Sequence, residues 1–321
     1  MHRLIVVSFT FVALAILAAA PLWASCGSES CPLDHMSRWS EAPFTFEVTY
    51  QYIDQDQPRI GTEDATVGEI QRDHDEVRTL NRMTTARGIY RAGPAWSFSA
   101  SLTWIDRYHE HIHHDAGGDE VERFNYSGIG DLEVATLRSL GSGDSRRRGF
   151  VSAGVKMPTG DTSVPNEDGE QPEPAARPGS GSWDVLAGAG VEWRLGDAAE
   201  GSRTVPLRLS VTGRYNGFGT EDYRIGPELQ AHLGTEYPLM RSLSLLAQVN
   251  VRVRGQDDVG SSGVNEADTG GTMAFLSPGV RANVSKAASI YALVQIPVYQ
   301  RVNGIQIVSN GNLYVGVSRA F

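Results

Sequence analysis

One pattern limits what this chain can fold into more than any other. From residue 44 to the end, apolar and polar side chains alternate every second residue, in segment after segment. In the first segment, Phe44, Phe46, Val48, Tyr50 and Tyr52 fall on one face and Thr45, Glu47, Thr49 and Gln51 on the other. Successive side chains of an extended chain point to opposite sides, so this is a strand with one apolar face. Trp96, Phe98, Ala100, Leu102 and Trp104 repeat the pattern against Ser97, Ser99, Ser101 and Thr103. Trp183, Val185, Ala187, Ala189, Val191 and Trp193 do so again. Aromatic residues at both ends of the apolar face are the arrangement of interfacial girdles on a transmembrane barrel.

The alternation predicts twelve strands, at 44–54, 75–91, 95–108, 128–140, 148–157, 182–195, 204–217, 224–237, 241–253, 271–284, 288–301 and 305–321. The second alternates least well, because it carries Arg78, Arg82 and Arg87. Every other connection is short (92–94, 141–147, 196–203, 238–240 and 285–287). On the other rim long polar loops are expected at 55–74, 109–127, 158–181 and 254–270, with two short connections at 218–223 and 302–304. Short turns on one rim and long loops on the other mark a bacterial outer-membrane barrel, with the short turns periplasmic. The expected fold is therefore all-β, a transmembrane antiparallel β-barrel. The competing fold, a soluble sandwich, would pack its apolar faces in pairs, and strands whose other face carries Arg and Glu fit that less well.

The ends of the chain agree with a barrel. Residues 1–24 read as a secretory signal peptide, with a basic start at His2 and Arg3, an apolar run from Leu4 to Ala20, and Leu22-Trp23-Ala24 before cleavage. Residues 25–43 are then a periplasmic N-terminal segment and 44–321 the barrel. The last strand ends on Phe321, as do many strands read by the outer-membrane insertion machinery, which is therefore an expected partner together with outer-membrane lipid. Composition narrows the function classes. A net charge of −10 excludes a nucleic-acid footprint. Apart from the signal, no apolar run reaches the length of a membrane helix.

The polar faces carry mixed charge. Lys156, Arg194, Arg208, Arg214, Arg252 and Arg254 are expected to line the lumen with His232 and with Glu47, Asp131, Glu133, Asp184, Glu192, Glu228 and Glu236. Such groups either border a narrow passage or cross-link into a plug. There is no G-x-S-x-G nucleophile and no glycine-rich phosphate loop, so catalysis is not expected; a hydrolase at the rim is the remaining enzyme reading.

Three stretches carry a family resemblance. "RFNYSGIGDLEVATLRSL" (Arg123–Leu140), "GFVSAGVKMPTGD" (Gly149–Asp161) and "SNGNLYVGVSRAF" (Ser309–Phe321) resemble the outer-membrane barrels grouped as the MetA-pathway-of-phenol-degradation, or transporter-like, family. The resemblance covers roughly residues 125–321 and implies passage of small, often hydrophobic or aromatic molecules. It supplies no catalytic residues. In local chemistry, Gly128 and Gly130 let the backbone turn into a strand beside Asp131, and Pro158-Thr159-Gly160-Asp161 ends a strand and opens a loop.

Two clusters are candidates for metal. Four of the eight histidines stand in Tyr108–Asp119. His109, His111 and His113 alternate, so an extended backbone puts them on one face, where neighbours share a Cu or Zn ion; Glu110 and His114 take the other face. His74 is a further candidate from a neighbouring loop. The plainer reading is a solvated external loop with exposed histidines. Cys26 and Cys31 are expected as a small-loop disulfide, with acylation of Cys26, or a metal site with His35, as alternatives. The functional expectation is a channel or transporter for small solutes; the alternative is a metal-binding surface protein whose barrel is an anchor.

Overall fold

A computed structural model describes residues 42–70, 74–115, 118–141, 146–196, 204–262 and 264–321. The expected signal peptide, and Cys26, Cys31 and His35 of the expected N-terminal segment, lie outside the described residues. Among those described, no helix is long and apolar enough to cross a membrane; strands carry the architecture.

Twelve strands form one closed antiparallel barrel. They are β1 (Phe44–Ile60), β2 (His74–Arg91), β3 (Trp96–Asp115), β4 (Gly118–Ile129 followed by Leu132–Leu140), β5 (Arg147–Met157) and β6 (Asp184–Leu195). Then come β7 (Val205–Asn216), β8 (Glu228–Met240), β9 (Leu243–Arg254), β10 (Gly271–Asn283), β11 (Ala288–Val302) and β12 (Ile305–Ala320). A two-residue strand, Glu63–Asp64, folds back on the end of β1. Each strand pairs with the next, and β12 returns to β1 from Thr45↔Ala320 to Ile60↔Ile305. Closure leaves no free sheet edge between β12 and β1, as the bilayer interior demands, while the upper half of β4, Gly118–Ile129, pairs with β3 alone.

The alternation sets the two faces. Phe44, Phe46, Tyr50, Trp96, Phe98, Leu102 and Trp104 are exposed on the outside, whereas Glu47 and Thr49 are buried inside. On β3 the stretch from Trp96 to Trp104 spans about 26 Å along the strand at ~3.3 Å per residue, the scale of an apolar membrane band. Beyond Trp104 the outward residues of β3 turn polar, at Asp106, Tyr108 and Glu110.

Much of two expected loops is instead strand. Residues 55–60 continue β1, and 109–115 with 118–127 extend β3 and β4 as a tall hairpin, in register from Trp104↔Ile129 to Asp115↔Gly118. Above the bilayer no lipid face imposes alternation, so the hydrophobic period fades although the ladder continues. Ion pairs between strands replace it: Arg78 meets Asp54 through two bonds at 2.8 and 2.6 Å, and Arg82 meets Asp106 at 3.1 Å. That explains the poor alternation of β2.

One part of the lumen is packed. From β9, β11 and β12, Leu246, Tyr291, Leu293 and Tyr314 pack into a buried cluster. Polar neighbours are knitted into it: the Tyr291 hydroxyl donates to Glu47 at 2.7 Å, Asn312 donates to Gln295 at 2.7 Å, and Ser277 donates to Asn250 at 2.8 Å. Each of these buried polar side chains has at least one hydrogen-bond partner, as the low dielectric favours.

Candidate functional site

Another part of the lumen is open beneath a loop. The loop of residues 158–183, between β5 and β6, folds inward over its second half, where a short helix, Pro174–Ala176, is buried. Arg107 on β3 and Tyr126 on β4 both donate to the Ala176 carbonyl. Arg177 reaches Glu221 in the next loop at 2.5 Å.

The foot of this strap is built from two of the family-like motifs. β4 breaks at Gly130-Asp131, and the Pro158–Asp161 turn fits into the break. Asp161 N donates to Ile129 O at 2.8 Å, and Ile129 N donates to the Asp161 carboxylate at 2.7 Å. Leu132 N donates to Thr159 Oγ1 at 2.9 Å. Gly160 sits against the backbone of Gly130 and Gly179; a Cβ on Gly179 would lie 2.4 Å from the Gly160 carbonyl carbon. Only glycine permits that approach.

Asp131 ties both ends of the strap to the wall. Its carboxylate accepts from Gly160 N at 2.9 Å, Ser180 N at 3.0 Å and Ser180 Oγ at 2.6 Å. Lys156 lies 3.1 Å from Asp131 and 2.7 Å from Asp184, and all three side chains are nearly sealed from solvent. One cation held between two carboxylates, with serine hydroxyls around it, is a satisfied buried network. The turn chemistry read from sequence is therefore half of a two-part joint. The signal for it was present, as an aspartate in one motif and a lysine in the next, but nothing local says that they meet.

Below the strap is a cavity of about 490 Å³. Its wall runs from Arg91 and Pro94 at the short-turn rim to Pro174, Pro178 and Ser180 of the strap. Lys156, Arg208, Arg214, Glu228, His232, Arg252 and Arg254 all stand on it. Arg194 does not: it is exposed at the short-turn rim, 3.8 Å from Glu192, because β6 ends one residue later. Most of the wall's charges are cross-paired, with Arg252–Glu228 at 2.6 Å, Arg214–Glu133 at 2.8 Å and Arg254–Asp257 at 2.9 Å. The Arg208 guanidinium lies 4.9 Å from the Phe150 ring, and His232 shares a 2.9 Å hydrogen bond with Asn250. Tyr223, from the external loop after β7, donates to Asp257, and burial beside that carboxylate raises its phenol pKa.

The histidines occupy the tall hairpin. His109 and His111 are 2% and 7% exposed, contrary to the exposed loop expected from sequence. The hairpin continues the barrel wall, so its inner face stays covered by β2 and by Phe124. His111 Nε2 is 2.9 Å from one oxygen of Glu122 and His113 Nε2 is 3.5 Å from the other. These three residues offer ligand atoms within 4.8 Å of one another, a set able to hold a metal ion. Glu122 was not singled out by sequence because it lies on the facing strand, directly across from His111. His114 turns away, to Asp119 and Asp75 at 2.8 Å each, and those two carboxylates raise its pKa. The side chain of His74 is not among those described.

No family profile matches the chain, and no curated protein matches it by sequence. Solved structures do. The chain is similar to an outer membrane channel from Pseudomonas putida F1, at 14% identity over 91% of this chain and 100% of that one, with a TM-score of 0.64. The chain has the closed β-barrel fold of outer-membrane proteins. That is the fold to which the motif resemblance pointed. The transport unit of the autotransporter AIDA-I from Escherichia coli aligns more loosely, at 10% identity over 90% and 93% of the two chains and a TM-score of 0.47.

Proposed function

We propose that the barrel is a channel for small solutes whose passage is set by the inserted strap. The observation that carries this is the cavity beneath Pro174–Ser180. A barrel serving only as an anchor has no need of a wall-lined space of about 490 Å³ on one side of its lumen. The wall mixes Met83, Ile105, Phe150 and Leu186 with Arg87, Arg208 and Arg214. Apolar surface with a few fixed cations suits solutes that have a hydrophobic or aromatic body and a polar or anionic group.

The test is conductance in planar bilayers, with the native chain compared with one lacking residues 163–177. The strap's two feet already touch, through Gly179 N donating to Asp161 O at 2.8 Å, so a short glycine linker closes the gap. The shortened chain should pass ions with a several-fold larger unit conductance. If neither form conducts ions or passes benzoate into liposomes, the channel reading fails. The alternative, a metal-binding surface protein anchored by its barrel, expects that silent result.

A further inference from the structure

We propose that the β3–β4 hairpin carries a binding site for one transition-metal dication, zinc in the first instance, with His111, His113 and Glu122 as ligands and His109 as a positioning residue. Its ligand set is two imidazoles and one carboxylate, the N/O chemistry of zinc and copper sites that leave one coordination position open.

The geometry is close to what the ion needs. Zinc at ~2.0–2.1 Å from each of two tetrahedral ligands places those ligand atoms ~3.3 Å apart. The Nε2 atoms of His111 and His113 lie 2.9 and 3.5 Å from the two oxygens of one carboxylate. Small side-chain rotations suffice. The strands supply the arrangement: His111 and His113 share a face of β3 by alternation, and register sets Glu122 opposite His111.

What surrounds the ligands argues for a built site. His111 Nδ1 is 3.2 Å from His109 Nε2, and His109 Nδ1 is 2.8 Å from Thr79 Oγ1. With a metal on His111 Nε2, its Nδ1 must carry the proton and donate it to His109 Nε2. His109 then carries its own proton on Nδ1 and donates it to the buried Thr79 hydroxyl. One tautomer satisfies the whole chain, and metal-bound histidines are ordinarily fixed by such an outer partner. Both nitrogens of His109 are used in this relay, which is why it positions rather than binds. Phe124 lies against the rings of His109 and His111, with centroids 6.1 and 5.5 Å away. His113, 40% exposed at its side chain, leaves a route for the ion from solvent. Glu76, across from His111 on β2, adds negative charge beside it.

The experiment uses the full chain folded in detergent, stripped with chelator and titrated with Zn²⁺ alone by calorimetry. A parallel titration with Co²⁺ is followed by visible absorption. The native chain should bind one ion and give the ligand-field bands of a low-symmetry N/O site. Glu122→Gln, which keeps size and hydrogen bonding, should weaken binding at least tenfold and bleach the Co²⁺ bands; His113→Ala should do the same. His109→Phe should weaken binding about 10- to 100-fold through lost orientation, with the stoichiometry still one. No stoichiometric binding by the native chain, or native affinity and spectrum in Glu122→Gln, overturns the site. Heat-shifted gel migration reports an intact barrel in each variant, and Glu122→Gln decides if His113→Ala does not fold. Conductance is a separate measurement, so failure here leaves the channel reading standing.

Discussion

Replacing Asp131 with alanine should loosen the strap and open the lumen. Asp131 accepts three hydrogen bonds, from Gly160 N, Ser180 N and Ser180 Oγ. A hydrogen bond to a charged group contributes roughly 1.5–3 kcal/mol. The three share one carboxylate and are not additive, so about 4 kcal/mol is a fair sum. At 1.4 kcal/mol per factor of ten, the ratio of detached to attached strap rises roughly 10³-fold. Lys156 keeps Asp184 at 2.7 Å, so no buried cation is stranded and the barrel itself should stand. Upper contacts to Ala176 remain, so the expected change is frequent opening rather than a permanently empty lumen. Single-channel recording should show a new high-conductance state in Asp131→Ala, and a weaker version in Asp131→Asn, which keeps an acceptor oxygen. Traces indistinguishable from the native chain, in protein shown to be folded by its heat-shifted gel band, would refute the idea that this joint holds the strap.

Two further outcomes follow from packing. Gly179→Val should give the same opening as Asp131→Ala, because its Cβ falls 2.4 Å from Gly160 C and neither backbone can retreat; an unchanged channel would show that the strap's foot yields. Leu233 stands on the outer face of β8, flanked by Leu209 and Val249 on its neighbours. Leu233→Arg should destabilise the barrel by roughly 2–4 kcal/mol in urea unfolding from lipid vesicles, and a change below about 0.5 kcal/mol would place that residue away from lipid.

Within the membrane band the strands were legible because the sequence must encode two solvents. Phe44, Phe46 and Tyr50 meet lipid while Glu47 and Thr49 meet the lumen, and a period of two is the only backbone pattern that serves both. Above the band that pressure ends. Asp54 pairs with Arg78 and Asp106 with Arg82 across strands without any hydrophobic rhythm, and so β1, β3 and β4 continued through stretches that read as loops.

The amino-acid sequence by itself determined the fold class, the inward and outward faces, and the placing of His109, His111 and His113 on one side of a strand. All of these depend on residues one to four positions apart, where the backbone alone sets direction. Tertiary structure decided the rest. Cross-strand register supplied Glu122 to the histidines and made His109 their support. The break in β4 brought Asp131 to Lys156 and to both ends of the strap. Packing from β9, β11 and β12 filled one part of the lumen and left a cavity beside it. Contacts of that kind join residues far apart in the chain through the closure of the sheet, and no local period records them.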